Sequence, residues 1–167
     1  HAVDANGVTE SSARAAKLVV LRPVPPLVPS AGARRAAFTW ASKRSGAVAV
    51  AVVDSHGHLH GRNAHRRFLT ASLAKPLLLV AYLRRNDTVT SAMRKTLTRM
   101  ITVSDNDAAD AVYRSVGVKG LRRLAKLAGM RSFETNSAWI LCRASAADMA
   151  CFFRDMERYV PRRHRRF

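Results

Sequence analysis

The chain has 167 residues, 48% of them apolar, and its 29 lysines and arginines against 11 acidic residues give a net charge of +18. This length and apolar share predict one folded domain with a real core and exclude a chain that is disordered throughout. The charge predicts attraction to polyanions, but no zinc-finger spacing or aromatic RNA-binding signature accompanies it.

Residues 1–32 differ in composition from the remainder of the chain. Pro23, Pro25, Pro26 and Pro29 exclude a continuous helix or a central strand in this part. We interpret residues 1–32 as a tail or semi-rigid linker and residues 33–167 as a single domain. A first helix is predicted over residues 33–43.

The clearest strand of the sequence covers residues 46–54, where valines alternate with alanines. Both faces are apolar, so the strand is expected to be covered on both sides. A turn and a return strand over residues 58–62 complete a hairpin. His56, His58 and His60 alternate along it, and we expect a solvated edge and no metal, since a zinc site needs a further ligand and the turn can break the alignment.

The next element joins Thr70-Ala71-Ser72-Leu73-Ala74-Lys75 to an apolar run over residues 76–83. Residues three apart share a helix face, so the Lys75 ammonium is expected to reach the Ser72 hydroxyl. A lysine can take a proton from a serine where burial favours its neutral form, and the apolar helix supplies that burial. The run is too short to cross a membrane. The alternative interpretation is a helix N-cap serine with a snorkelling lysine.

Helical patterns fill the second half of the chain. Ser91 is predicted to cap a helix that runs to about residue 103. Two helices follow over residues 107–116 and 118–127, divided by Gly117. A capping box of Ser145 and Asp148 opens a last helix that ends near residue 159.

The cysteines and the basic residues of this half do not by themselves identify a function. Cys142 and Cys151 are too few for a disulfide framework, and we expect two unpaired, buried thiols, with a single bridge as the alternative. The basic residues are scattered along the chain except for one run, Arg162-Arg163-His164-Arg165-Arg166.

A second motif, Ser104-Asp105-Asn106, lies where the helix over residues 107–116 opens. Ser-x-x-Lys followed by Ser-Asp-Asn resembles the motif pair of class A β-lactamases and penicillin-binding proteins. Over about residues 33–159 the chain is therefore similar to the β-lactamase/penicillin-binding-protein serine hydrolase superfamily. The resemblance implies an α+β fold in which a sheet packs against a helical domain and the active serine begins the buried central helix.

The resemblance also implies a role for each matching residue. Ser72 would be the acylating nucleophile and Lys75 its base or proton relay. Ser104 would pass a proton to the leaving nitrogen, and Asn106 would hold the carbonyl of the substrate side chain. Asp105 would brace the loop by accepting backbone N–H groups, and the Ser72 N–H would form half of an oxyanion hole.

The sequence departs from the family pattern in three places. The segment between Lys75 and Ser104 is short, which predicts a trimmed helical lobe. Residues 130–149 lack the E-x-x-L-N pattern of the deacylation loop, and Glu134 is a poor substitute. The Lys-Thr/Ser-Gly strand is missing, so we expect the N-terminal part of a longer domain that lacks its C-terminal strands. Such a chain is expected to be weakly active or inactive, and to associate with a C-terminal fragment, swap elements with a second copy or aggregate.

The sequence thus predicts a serine hydrolase that forms an acyl-enzyme at Ser72 with β-lactams or peptidoglycan peptides, without a cofactor or a metal. The resemblance implies a secreted or cell-envelope location. The alternative is a non-catalytic basic binding module on the same scaffold, holding anionic wall polymer or nucleic acid.

Overall fold

The computed structural model describes residues 29–166. Most of the predicted linker, residues 1–32, lies outside the described residues, so this prediction stays open. Within them, helix α1 (Ala31–Ser42) begins two residues before the predicted start. Ser30 caps it, because its hydroxyl accepts the Ala33 N–H at 3.1 Å.

The predicted hairpin is present but shorter than expected. Strands β1 (Val50–Val53) and β2 (Leu59–Arg62) pair antiparallel, with Val50 opposite Arg62. All four residues of β1 are half-buried, so the expected coverage of both faces is wrong. Helix α5 (Ala146–Tyr159) packs against β1. In the described part of the chain, β1 pairs with β2 and with no other strand.

The histidines of the hairpin gather around a carboxylate. Asp54 accepts the backbone N–H groups of His56 and His58, at 2.9 and 2.8 Å. Its other oxygen lies 3.1 Å from His58 Nδ1 and 3.7 Å from His60 Nε2. Within residues 29–166 no group of three His, Cys, Asp or Glu side chains is placed to hold a metal ion.

A second two-stranded sheet, which the sequence did not predict, leads into the Ser72 segment. Strand β3 (Arg67–Leu69) pairs antiparallel with β4 (Arg143–Ser145). Directly after β3, the Thr70 N–H and hydroxyl both donate to the Cys142 carbonyl, at 2.8 and 3.0 Å. These bonds fix the entry to the next helix relative to a segment more than seventy residues away in the sequence.

Helix α2 (Ala74–Arg85) is the centre of the core, as predicted, and a 3₁₀ turn (Ala71–Leu73) precedes it. It packs against α4 (Asn106–Leu127) and, less extensively, against α3 (Ser91–Thr102) and α5. The apolar run leaves almost no polar stripe, which is why the helix is covered on nearly all sides. Its buried residues are Ala74, Lys75, Leu77, Leu78, Val80, Ala81, Tyr82 and Leu83. None of the described helices is both long and apolar enough to span a membrane.

The helices begin and end close to the capping and helix-breaking residues of the sequence, with small differences from the predicted bounds. Thr90, and not Ser91, caps α3, since its hydroxyl accepts the Met93 N–H at 3.2 Å. The two helices predicted over residues 107–127 are both present within α4 and are divided at Gly117, whose backbone is not helical (φ 62°, ψ 177°). Only glycine adopts this backbone conformation readily.

The last helix confirms its predicted start. Ser145 and Asp148 form the capping box, and the Asp148 carboxylate also accepts the Arg131 and Ser132 N–H groups at 3.0 and 2.9 Å. Both cysteines are free thiols, Cys142 buried and Cys151 half-buried. Helices with small antiparallel sheets agree with the predicted α+β class at this coarse level.

Candidate active site

Ser72 lies at an exposed turn at the N-terminal end of the central helix. The Leu73 N–H makes the first bond of the 3₁₀ turn, to the Thr70 carbonyl at 2.9 Å. The N–H groups of Ala71 and Ser72 therefore precede the hydrogen-bonded part of the turn. Ala71 has φ 45°, a left-handed conformation that costs a non-glycine residue on the order of 1 kcal/mol. The result is a serine hydroxyl and a backbone donor at the same exposed point.

Lys75 is buried beneath this turn, with 2% of its surface exposed. Its ammonium donates to the Ser104 hydroxyl and to Asn106 Oδ1, both at 2.8 Å, and to the Ser104 carbonyl. An ammonium has three N–H donors, so these bonds use all of them. Lys75 forms no ion pair with any carboxylate among residues 29–166.

The predicted direct contact between Lys75 and Ser72 is therefore wrong. Its physical reason is the competition for the ammonium, since the Ser104 turn offers three acceptors and takes every donor. The Ser104 hydroxyl instead lies between the two residues, and it also hydrogen-bonds Ser72 Oγ at 3.1 Å. The structure thus joins Ser72, Ser104 and Lys75 in a continuous chain of hydrogen bonds across the two sequence motifs.

The Ser104-Asp105-Asn106 turn is shaped by the start of α4. Asp105 caps the helix by accepting the Ala108 N–H at 2.9 Å, the bracing role predicted for it, and it also pairs with Arg99. These contacts, the Ala108 N–H ahead of Arg99, hold the pKa of Asp105 below its ordinary value although desolvation opposes the shift.

Ser104 itself has a left-handed backbone with φ 54°. This conformation turns both its carbonyl and its hydroxyl toward the Lys75 ammonium. Of the three described non-glycine residues with positive φ, Ala71 and Ser104 belong to this site. Such strained residues tend to cluster where function requires a particular geometry.

Trp139 is a site residue that the sequence reasoning missed. It is 3% exposed, its ring centroid lies 5.2 Å from Lys75 Nζ, and its Nε1–H donates to Asp110 Oδ1 at 2.6 Å. The indole face attracts the cation and shields it from water. The residue lies in a 3₁₀ turn (Trp139–Leu141) that packs against the Ser72 turn. The sequence feature that could have identified it is a tryptophan in a segment without the apolar periodicity of a helix or a strand.

Three carboxylates of this region are already engaged by other residues. Glu134 is half exposed, pairs with Arg67 and faces Arg143 across a β-bridge, with no hydrogen bond to Ser72, Lys75 or Ser104. Asp105 caps α4, and Asp110 accepts from Trp139.

The arrangement is suited to moving a proton away from Ser72. In the charged state Lys75 donates to Ser104, which donates to Ser72. With a neutral lysine both bonds can reverse, so that Ser72 gives its proton to Ser104 and Ser104 gives its own to Lys75. Ser72, Ser104 and Asn106 are exposed while Lys75 is buried, so a substrate can reach the hydroxyls without contacting the base directly.

Comparison with known proteins gave one family match. Residues 85–166, about half of the chain, match the model of the β-lactamase enzyme family. The match includes Ser104, Asn106 and Trp139, and it begins ten residues after Lys75. The comparisons with curated proteins and with solved structures each gave no significant match.

Proposed function

Because residues 85–166 match the model of the β-lactamase enzyme family, we propose that the chain is a serine acyl hydrolase of the serine β-lactamase and penicillin-binding-protein superfamily. In this proposal Ser72 is the nucleophile. The observation that carries this proposal is the hydrogen-bond chain from Ser72 Oγ through Ser104 Oγ to the buried Lys75. The substrates are β-lactams or peptidoglycan peptides, whose carbonyl carbon the serine attacks. This substrate class also supports a secreted or cell-envelope location.

Each step of acylation has a residue in reach. Lys75 in its neutral form takes the Ser72 proton through Ser104, and Ser72 Oγ bonds to the carbonyl carbon. The Ser72 N–H, which precedes the bonded part of its turn, stabilises the negative charge on the carbonyl oxygen. The proton held on Lys75 then returns through Ser104 to the leaving nitrogen as the C–N bond breaks.

Asn106 orients the substrate in this proposal. Its Oδ1 accepts from Lys75 at 2.8 Å, which directs its Nδ2 donors away from the lysine. An amide N–H beside an exposed nucleophile can donate to a carbonyl of the substrate side chain. The bond to Lys75 fixes the amide, so little rotamer freedom has to be lost when substrate binds.

The acyl-enzyme is expected to persist. Rapid hydrolysis needs a base that positions a water, and no carboxylate among residues 29–166 hydrogen-bonds Ser72, Lys75 or Ser104. The carboxylates of Asp105, Asp110 and Glu134 are engaged by other residues. We propose that the protein behaves like a penicillin-binding protein, which is acylated and holds the adduct, more than like an efficient β-lactamase.

Labelling with a fluorescent penicillin tests the proposal. The wild-type chain should become labelled and keep the label for many minutes, while Ser72→Ala should not be labelled. Ser91→Ala is the matched control, because Ser91 is an exposed serine at the start of a helix in which Thr90 makes the cap bond. Labelling of Ser72→Ala at the control rate would reject Ser72 as the nucleophile. Salt-sensitive binding of polyanions without any adduct in the wild type would favour the non-catalytic binding module.

A further inference from the structure

A basic groove lies at the end of α2 opposite to Ser72. It has a volume of about 780 Å³ and runs between the C-terminal part of α2 and the second half of α4. Because α2 has 12 residues, the groove is roughly 18 Å from the Ser72 turn. Its lining includes four cations and no acidic residue: Arg84, Arg85, Arg123 and Lys126.

The cations stand on both walls and are not neutralised. Arg84 and Arg85 each donate one N–H to a backbone carbonyl, of Tyr159 at 2.8 Å and of Ser115 at 2.6 Å. These bonds hold the guanidinium groups in place and leave the other donors of each for a ligand. On the α4 wall, Arg123 and Lys126 form no ion pair or hydrogen bond through their side chains with any residue in 29–166.

The basic run at residues 162–166 extends this surface. The buried His164 ring lies 2.7 Å from the Asn86 carbonyl through Nε2, and Arg163 pairs with Asp87 at 2.8 Å. Asn86 and Asp87 directly follow the groove residues Arg84 and Arg85, so the run is docked beside the groove. Its exposed arginines therefore add to the positive potential at this end of the molecule.

We propose that this groove binds an anionic polyol-phosphate polymer, a linear chain of phosphodiester-linked polyols. Cations on two facing walls suit a chain that carries phosphates along its length. The floor is aliphatic, with Val116 and Leu124, and it can contact the carbons of the polyol. No aromatic side chain lines the groove to stack a base, which favours a phosphodiester without bases over single-stranded nucleic acid.

The groove and the Ser72 site are on separate ends of α2, so both can be occupied together. Polymer in the groove would hold the protein on an anionic surface without covering the nucleophile. The inference does not depend on acyl transfer, because none of the four cations contacts Ser72, Ser104 or Lys75.

Binding of a fluorescent poly(glycerol phosphate) to the full chain tests the proposal by anisotropy over a range of salt concentrations. Arg123→Gln/Lys126→Gln should bind at least about tenfold more weakly than wild type near 0.1 M salt, and its plot of log affinity against log salt should be shallower by about 1 to 2. Arg123→Lys/Lys126→Arg keeps both charges and should retain binding within about threefold.

Lys43→Gln/Lys95→Gln is the matched control, because it removes two exposed charges outside the groove. It should bind within about threefold of wild type. Equal losses in the groove pair and the control pair would show a general charge effect and overturn the proposal, as would the absence of binding by the wild type. Tighter binding of an oligothymidylate with the same number of phosphates would overturn it in favour of nucleic acid.

Discussion

Replacing Lys75 by methionine separates the proposed catalytic role of this residue from a structural one. The change keeps an unbranched side chain of similar length inside the core and removes the ammonium. It deletes three hydrogen bonds, to the Ser104 carbonyl, the Ser104 hydroxyl and Asn106 Oδ1. Ser104 and Asn106 are exposed, so water can satisfy the oxygens that lose their donor.

The expected effect on stability is small because two large contributions oppose each other. Hydrogen bonds to charged groups contribute about 1.5 to 3 kcal/mol each, so the three bonds are worth about 5 to 9 kcal/mol. Burying an ammonium without a counter-ion costs several kcal/mol, and the methionine also gains apolar burial. We expect the free energy of unfolding to change by less than about 1 kcal/mol in either direction.

The expected effect on acylation is large. General-base assistance contributes typically 10² to 10⁴ in rate, and without Lys75 neither Ser104 nor Ser72 has an acceptor for its proton. Acylation by a fluorescent penicillin should slow by about a thousandfold, while urea unfolding stays close to wild type. Acylation within about tenfold of wild type would refute the base role. A loss of more than about 3 kcal/mol in unfolding would show that Lys75 is a structural residue.

Three further predictions concern Asp105, Gly117 and Trp139. Asp105→Asn should remove a pH-dependent stabilisation, because the pKa of Asp105 is lower in the folded state than in the unfolded chain. Wild type therefore keeps the full contribution above about pH 4 and loses it as the pH falls. In urea titrations the unfolding free energies of the two proteins should converge between about pH 5 and pH 2. Gly117→Ala should cost about 1 to 3 kcal/mol in thermal unfolding through local backbone strain alone, since apart from its own helix backbone and chain neighbours no atom lies within 4 Å of the new Cβ. Gly32→Ala, in ordinary helical geometry, should be neutral or slightly stabilising. Trp139→Ala should slow acylation by more than about tenfold, because it admits water to Lys75. Trp139→Phe keeps an aromatic face and should slow acylation less. Equal rates in the two variants would show that the indole does not shield the lysine.

Much of the helical part could be predicted because its signals are local. The Ser145 and Asp148 capping box, the break at Gly117 and the apolar run after Lys75 each act over a few residues, and the structure confirms them. The paired motifs around Ser72 and Ser104 also pointed to the β-lactamase enzyme family, whose model matches residues 85–166. The expectation that further strands complete the sheet stays a prediction.

The remaining parts depend on long-range contacts that no local pattern encodes. Strands β3 and β4 have three residues each, too few for an alternation to show, and they pair across more than seventy positions. The partners of Lys75 were missed for a related reason. Spacing along a helix brings Ser72 into range, but the strained Ser104 turn offers three acceptors at once.

Peptide mapping by mass spectrometry after treatment with a penicillin tests the central claim most directly. Trypsin does not cleave before proline, so residues 68–84 form one peptide that contains Ser72 as its one serine, and residues 100–114 form another that contains Ser104. We predict a covalent penicilloyl adduct on Ser72 in the first peptide, and none on the second. An adduct confined to the second peptide, or a protein that stays unmodified while fully folded, would contradict the assignment of Ser72 as the nucleophile.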